Sequence, residues 1–359
     1  MRGKRIYVIA EAGVNHNGDP KLALDLVKAA AGAGADAVKF QIYSTGNLVS
    51  TSAPKAGYQL ASTDQQETQH VMLRRLELSQ SNFIDLHARC AQLGIEFLAS
   101  PFDPASAQFL AGLGVSRLKL GSGEITNAML LLAAARTNLP IVLSTGMSQL
   151  GEIEAALGVL AYGFLNPGRT PCSAAFIEAY ESAAARRMLA EKIVLLHCTT
   201  EYPAPMQDVN LKAIDTLRSA FGLPVGYSDH TAGITIPIAA AAREAVVIEK
   251  HLTLDRTLPG PDHRASLEPA EFGRMVAGIR AVEQALGTGV KTAAPSERDN
   301  RNIARRSLIA ACDISPGELF TEDNLAVLRP ATGTSAMAYY DWIGKPAQRG
   351  FLKDEAILP

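Results

Sequence analysis

The stretch IAEAGVNHNGDPKLALDLV, residues 9–27, decides the fold. Its apolar run stops at Glu11, glycine and asparagine turn residues follow, and a helical pattern begins at Asp19-Pro20. Asp19 reads as an N-cap and Pro20 as the first helical residue, with Gly32 or Gly34 available to end the helix. A strand that ends in polar residues and hands over to an alanine-rich amphipathic helix is one β-α unit. The unit recurs. Apolar runs stand at IYVIAE (6–11), AVKFQ (37–41), IEFLAS (95–100), RLKLGSGE (117–124), PIVLSTG (140–146), IVLLHCT (193–199), PVGYSDH (224–230) and AVVIEKHLT (245–253). Eight such runs separated by helical segments predict an α/β chain folded as a (β/α)8 TIM barrel. A doubly wound open sheet would carry GxGxxG after the first strand, and that fingerprint is absent there.

Two connections are long. The one from Ile42 to Ser79 reads as a lid over the barrel mouth. The other, residues 166–190, starts with Pro and Gly and reads as a surface insertion without chemistry of its own. The pattern changes after residue 286. We therefore expect a barrel over 1–286, a linker over 287–305 (LGTGVKTAAPSERDN lies at its start) and a small, mostly non-helical domain over 306–359, where turn signals are dense.

Composition narrows the function. Of 359 residues, 47% are hydrophobic and 19% charged, with a formal charge of -2. Near-neutral charge gives no electrostatic reason to expect nucleic acid or a membrane surface as partner. Cys90, Cys172, Cys198 and Cys312 are scattered, which suits a reducing compartment and no disulfide framework. The N-terminal apolar run is too short for a signal peptide, and no run approaches a membrane span. The expectation is a soluble cytoplasmic enzyme.

Chemistry in such barrels gathers where the strands end. Those ends present Glu11, Lys39, Gln41, Ser100, Lys119, Ser122, Glu124, Ser144, His197, Ser228, Asp229, His230, Glu249 and His251. Lys39 and Gln41 alternate with Val38 and Phe40, and Lys119 with Leu118 and Leu120. If the apolar set packs on the helices, both lysines enter the barrel mouth. A buried lysine is costly without an anionic partner, so the pair predicts an anion there. A salt bridge to Glu11 or Glu124 is the plain alternative for each lysine, and a bound phosphate or carboxylate explains the two together. His230 and His251 end neighbouring strands and can share one divalent ion that keeps positions for water and substrate, Mn²⁺ or Mg²⁺ rather than a closed zinc site. His16 and His197 read as orienting or substrate-contacting residues, and Asp262 stands over the mouth on a Pro-Gly-Pro turn.

The motifs AEAGVNHNGD, AVKFQ, ASPFD, KLGSGEITN, LSTGM, LHCTTEYPAP, GYSDHT, EKHLTLD and GPDHRASL occur in that order. Together they resemble the sialic acid synthases and their relatives that make legionaminic and pseudaminic acids. The tail ISPGELFTEDNLAVLRPATGTSA resembles the antifreeze-like (SAF) domain that ends those enzymes. The resemblance implies condensation of phosphoenolpyruvate with an N-acetylated amino-sugar aldehyde and release of phosphate. N-acetylmannosamine giving N-acetylneuraminate is the first expectation, and 2,4-diacetamido-2,4,6-trideoxymannose giving N,N'-diacetyllegionaminate the alternative. It implies further that Lys39, Ser100, Lys119, Ser122 and Ser228 hold phosphoenolpyruvate and that His230 and His251 bind the metal. Glu11, Gln41, Tyr202 and Asp262 would contact the acceptor, and Glu124 would move a proton. Arg329 would reach the active site of the other subunit in a domain-exchanged homodimer. Thr200 stands where some members place an asparagine near phosphoenolpyruvate, and Ile303 where some sialic acid synthases have a phenylalanine. A Schiff-base aldolase using one of the lysines, and a non-catalytic sugar-binding protein, are the competing readings.

Overall fold

A computed structural model describes residues 5–166 and 168–358. It divides into two compact units, Met1–Gly287 and Thr288–Pro359. The first holds eight parallel strands: β1 Tyr7–Gly13, β2 Ala37–Ile42, β3 Glu96–Pro101, β4 Leu118–Leu120, β5 Ile141–Ser144, β6 Ile193–Cys198, β7 Val225–Asp229 and β8 Val247–His251. They hydrogen-bond in the order β3-β2-β1-β8-β7-β6-β5-β4, and β3 and β4 lie side by side to complete the ring. This is the (β/α)8 barrel. The fourth strand is shorter than the sequence suggests, because the chain turns into a 3-10 helix at Ser122–Glu124 directly after Gly121.

The strands' period of two sorts residues into layers. Val8, Ala10, Val38, Phe40, Leu118, Leu120, Leu195, Tyr227 and Ile248 face the helices in the main core. Ile9, Ala37, Leu98, Val142, Leu196 and Val247 fill the barrel interior as a separate apolar cluster. The next inward positions toward the strand ends are polar: Glu11, Lys39, Ser100, Lys119, Ser144, Ser228, Glu249 and His251, all buried. An apolar plug thus floors a polar layer, and water is excluded from below.

Local signals set the helices. Asp19 accepts from Lys21 N at 2.8 Å and caps Pro20–Gly32. Asp103 accepts from Ser106 N at 2.8 Å and caps Pro104–Leu113, which Gly114 ends with φ +86°. The segment after β2 folds into short helices at Thr45–Leu48, Gly57–Ser62 and Gln69–Leu76.

The reading of residues 166–190 as a surface insertion is corrected. Ser173–Glu181 and Ala183–Lys192 are helices that bury Ala175, Ala179, Ala185 and Leu189 in the main core. They pack on the helix Leu150–Leu165, where Gly158 allows the approach: a Cβ there would stand 3.0 Å from Phe176 O. Ala175 and Ala179, spaced by four, form the contact stripe.

The second unit begins with a 3-10 turn at Pro295–Glu297 and a helix at Arg298–Ala304, so much of the expected linker is helical. An antiparallel pair, Ser307–Ala310 with Leu325–Leu328, follows. Its own core comprises Leu308, Ala310, Ile314, Phe320, Leu325, Ala347, Phe351 and Ile357. Among the described residues no helix is long and apolar enough to cross a membrane.

Candidate active site

The polar layer is an ion network. Glu11 pairs with Lys39 across β1 and β2, with Lys39 Nζ 2.5 Å from Glu11 Oε2. Glu249 lies between the lysines, its Oε1 3.4 Å from Lys119 Nζ and its Oε2 3.8 Å from Lys39 Nζ. Hydroxyl and amide groups complete the layer. Lys39 Nζ donates to Ser100 Oγ at 3.3 Å and Lys119 Nζ to Ser144 Oγ at 2.8 Å. Gln41 Nε2 donates to Glu11 Oε1 at 3.2 Å, and Ser228 Oγ to Glu249 Oε1 at 2.8 Å. Within the chain both lysines therefore have carboxylate partners, Glu11 and Glu249 rather than Glu124. Glu249 is the member that sequence reasoning left without a role. The signal for it was its position two residues before His251, on the same strand face.

Burial makes this layer expensive, and the charges respond to one another. Burial pushes the Lys119 ammonium below its ordinary pKa, Glu249 only partly opposing. For Lys39 burial acts the same way, but Glu11 and Glu249 outweigh it and hold the proton on. Burial raises Glu11, against the pull of Lys39. Burial also works to raise Glu249, yet Lys119 and Lys39 together keep it below the usual range. Asp262 is pushed up to about 7 by burial, with Glu11 adding repulsion.

Beside the network stand the two histidines, their rings 5.5 Å apart. His230 Nδ1 lies 2.6 Å from Thr199 O, so that nitrogen carries the proton and Nε2 keeps its lone pair. His251 Nδ1 is buried, makes no hydrogen bond and lies 4.0 Å from Asp262 Oδ2. Burial lowers the pKa of both rings, which leaves them in the neutral form that ligates metals. The donor set fits a divalent ion held by two imidazoles. Among the described residues no three His, Cys, Asp or Glu side chains form a closed metal group, so an ion there would keep positions for other ligands.

Tyr202 covers the histidines, 4.1 Å from the His230 ring and 5.6 Å from that of His251. Ser122 Oγ accepts from Gly146 N at 2.9 Å and lies 3.1 Å from Cys198 Sγ. Thr200 Oγ1 adjoins Gly146, where a Cβ would come within 2.4 Å of it. Glu249 Oε2, Thr200 Oγ1 and His251 Nδ1 are buried without a hydrogen bond in the chain, whereas Glu11 Oε2 is taken by Lys39. Buried polar atoms are ordinarily paired, so these three mark the layer as a candidate place for a ligand.

Other expected residues stand apart. Glu124 accepts from Asn127 Nδ2 at 2.7 Å and is half-buried on the turn after β4, outside the ion network. His197 points outward to Val209 O, at 2.7 Å, so its orienting role is in the core and not at substrate. Asp229 also faces outward, buried against Lys250 at 2.5 Å. His16 accepts from Gly18 N at 3.0 Å, which makes it a loop residue. Its neighbours are fasteners: Asn15 Nδ2 donates to Leu252 O and Ser266 Oγ, both at 2.9 Å, and Asn17 Oδ1 lies 3.2 Å from His263 Nε2. Arg329 belongs to the second unit, exposed beside its second strand.

Residues 26–291 match the NeuB family and residues 305–359 the SAF domain. The chain belongs to the NeuB family. It is 48% identical over 354 residues to the N,N'-diacetyllegionaminic acid synthase of Campylobacter jejuni, covering 99% of each chain. It is 44% identical over 338 residues to the Legionella pneumophila protein of the same name, covering 94% of this chain and 89% of that one. A crystal structure of an N-acetylneuraminic acid (sialic acid) synthetase from Leptospira borgpetersenii aligns with a TM-score of 0.67 at 34% identity, covering 83% of this chain and 90% of that one. This NeuB chain thus belongs to the family of the nonulosonic acid synthases, and the polar layer of its barrel is the candidate active site.

Proposed function

We propose that the protein condenses phosphoenolpyruvate with 2,4-diacetamido-2,4,6-trideoxymannose, giving N,N'-diacetyllegionaminate and phosphate. The observation that carries this reading is the 48% identity to the Campylobacter jejuni synthase along 99% of both chains. It favours the alternative acceptor over N-acetylmannosamine, the first expectation from sequence.

The polar layer supports the chemistry. C3 of phosphoenolpyruvate attacks the open-chain aldehyde carbon, a C–C bond forms, and positive charge develops at C2. Water adds at C2, and the tetrahedral intermediate loses phosphate by C–O cleavage. Lys39 and Lys119, with Ser100, Ser122 and Ser228, are the donors for the anionic groups of phosphoenolpyruvate, in a layer where charge-assisted hydrogen bonds are strong. The carboxylates of Glu11 and Glu249, which pair with the lysines, are the candidates to stabilise the developing positive charge. Glu124, with one oxygen held by Asn127 and its pKa raised by burial, is the candidate for proton transfer. Gln41, Tyr202 and Asp262 are the candidate acceptor contacts. Bound at His230 and His251, Mn²⁺ or Mg²⁺ would supply a Lewis acid for the aldehyde.

We propose further that the enzyme works as a homodimer in which Arg329 serves the partner's site. Its support is the match of residues 305–359 to the SAF domain, on which Arg329 is exposed.

The test is incubation with phosphoenolpyruvate, Mn²⁺ and each acceptor, following phosphate release and product mass. Product from the trideoxy sugar supports the proposal. Product from N-acetylmannosamine alone overturns the acceptor, and borohydride trapping of pyruvate on a lysine would replace the mechanism by an imine one.

A further inference from the structure

The segment between β2 and β3 places an aromatic ring over the acceptor side of the site. Tyr58, on the helix Gly57–Ser62, lies 4.7 Å ring to ring from Tyr202. Tyr202 in turn lies 4.1 Å from the His230 ring. The three rings, each tilted on the next, form a continuous contact from this segment to the candidate metal ligand.

Tyr58 is held there by a clasp on both sides of its helix. Lys55 Nζ donates to Thr63 Oγ1 at 2.8 Å, to Asp64 O at 2.5 Å and to Glu67 Oε1 at 2.8 Å. Its side chain is 0% exposed, so the clasp is part of a fixed fold. Gln59 Oε1 accepts from Ala56 N at 3.0 Å and from Gln69 Nε2 at 3.3 Å. At the far end, Ser62 Oγ lies 3.4 Å from Pro261 O, the carbonyl just before Asp262. The helix therefore spans from the Tyr202 loop to the Asp262 loop. Burial raises the Tyr58 phenol above its ordinary pKa, and the Asp262 charge adds to the rise, which agrees with a place inside the mouth.

We propose that Tyr58 is a specificity-determining contact for the acceptor, its ring and that of Tyr202 receiving the apolar substituents of a deoxygenated, doubly acetamidated sugar. The proposal rests on the acceptor reading above. A 2,4-diacetamido-6-deoxy sugar offers a C6 methyl and a second acetamido methyl where N-acetylmannosamine has hydroxyls. Aromatic faces take such groups well and gain nothing from hydroxyls left unpaired.

Tyr58→Phe and Tyr58→Ala test it, with initial rates for both acceptors at saturating phosphoenolpyruvate. Discrimination over a methyl-sized apolar group is about 10- to 100-fold in kcat/KM. Tyr58→Ala should raise the KM for the trideoxy acceptor by about that factor, leave the KM for phosphoenolpyruvate within about twofold, and erode the preference between acceptors. Tyr58→Phe should keep the preference. Unchanged acceptor KM and preference in Tyr58→Ala, or an equal rise in both substrates' KM, overturns the proposal. Thermal unfolding of each variant separates these outcomes from a collapsed lid.

If the wild-type protein uses N-acetylmannosamine alone, the acceptor reading falls, and the Tyr58 assignment is decided by whether that acceptor's KM moves in Tyr58→Ala. Should neither aldehyde react, calorimetric binding of the two reduced, open-chain acceptors decides. Equal binding by both proteins, or none by either, overturns the assignment.

Discussion

Glu249 Oε1 lies 3.4 Å from Lys119 Nζ, with both side chains almost wholly buried. Neither group would be stable there alone. Losing one member of a buried ion pair costs roughly 3–5 kcal/mol because the other charge is left uncompensated. If the lysines receive the substrate anion as proposed, the carboxylate of Glu249 holds them in place until it arrives.

Glu249→Gln tests that role. The variant should be destabilised by roughly 3–5 kcal/mol, and saturating inorganic phosphate should raise its melting temperature more than that of the wild type. Differential scanning calorimetry of both proteins, with and without phosphate, measures this. An equal phosphate effect on the two would mean that Glu249 does not stand in for an anion.

The loop at Asn15-His16-Asn17 has a pH signature. Burial lowers His16 to about 4, and Asp19 only partly offsets it. The unfolded chain takes up its proton near the ordinary value of about 6.5, while the folded chain does not until about pH 4. Stability contributed by neutral His16 is thus complete above pH 6.5 and lost as pH falls from there toward 4. Between pH 7 and pH 5 the loss is about 2 kcal/mol from this residue. His16→Gln should flatten that part of the curve, read from denaturant midpoints at the two pH values. An unchanged slope would assign the acid sensitivity elsewhere.

The inward lysines were legible in sequence because strand alternation is local: Val38 and Phe40 had to face helices, so Lys39 could not. The same rule placed His230 and His251 together. What spacing does not carry is the choice of partner. Lys119 meets Glu249 rather than Glu124 because the chain turns at Gly121 and sends Glu124 to Asn127, an outcome set by a turn and not by a period. His197 and Asp229 show the converse error. Both end strands, but one residue of register puts them on the outer face, against Val209 and Lys250. In the 166–190 segment the Pro-Gly opening signals a surface loop, whereas the alanine stripe that buries the segment counts only because Gly158 lies beneath it.

Arg329→Ala should lower condensation without shifting the melting temperature by more than a few degrees, since the side chain is exposed. Mixing Arg329→Ala with Lys119→Met, each nearly inactive alone, tests the action in trans. If Arg329 serves the partner, hybrid dimers regain one intact site and activity returns toward about a quarter of wild type at statistical mixing. Continued inactivity after verified subunit exchange would remove the trans role.

His230 Nδ1 is committed to Thr199 O, so only Nε2 is offered outward, while His251 Nδ1 has no partner at all. Neutral rings with free lone pairs bind divalent ions, and removing an outer hydrogen-bond partner of such a ligand already costs about 10- to 100-fold in affinity. His230→Ala removes the ligand itself and should weaken Mn²⁺ binding by at least that factor in calorimetry, with the barrel still folded by circular dichroism. Chelator should silence the wild-type reaction, and added Mn²⁺ should restore it. His251→Ala should behave likewise, whereas His197→Ala, on the outer face, should lose stability but keep Mn²⁺ affinity. Undiminished Mn²⁺ binding in both His230→Ala and His251→Ala would move the ion, if the reaction needs one, to other residues.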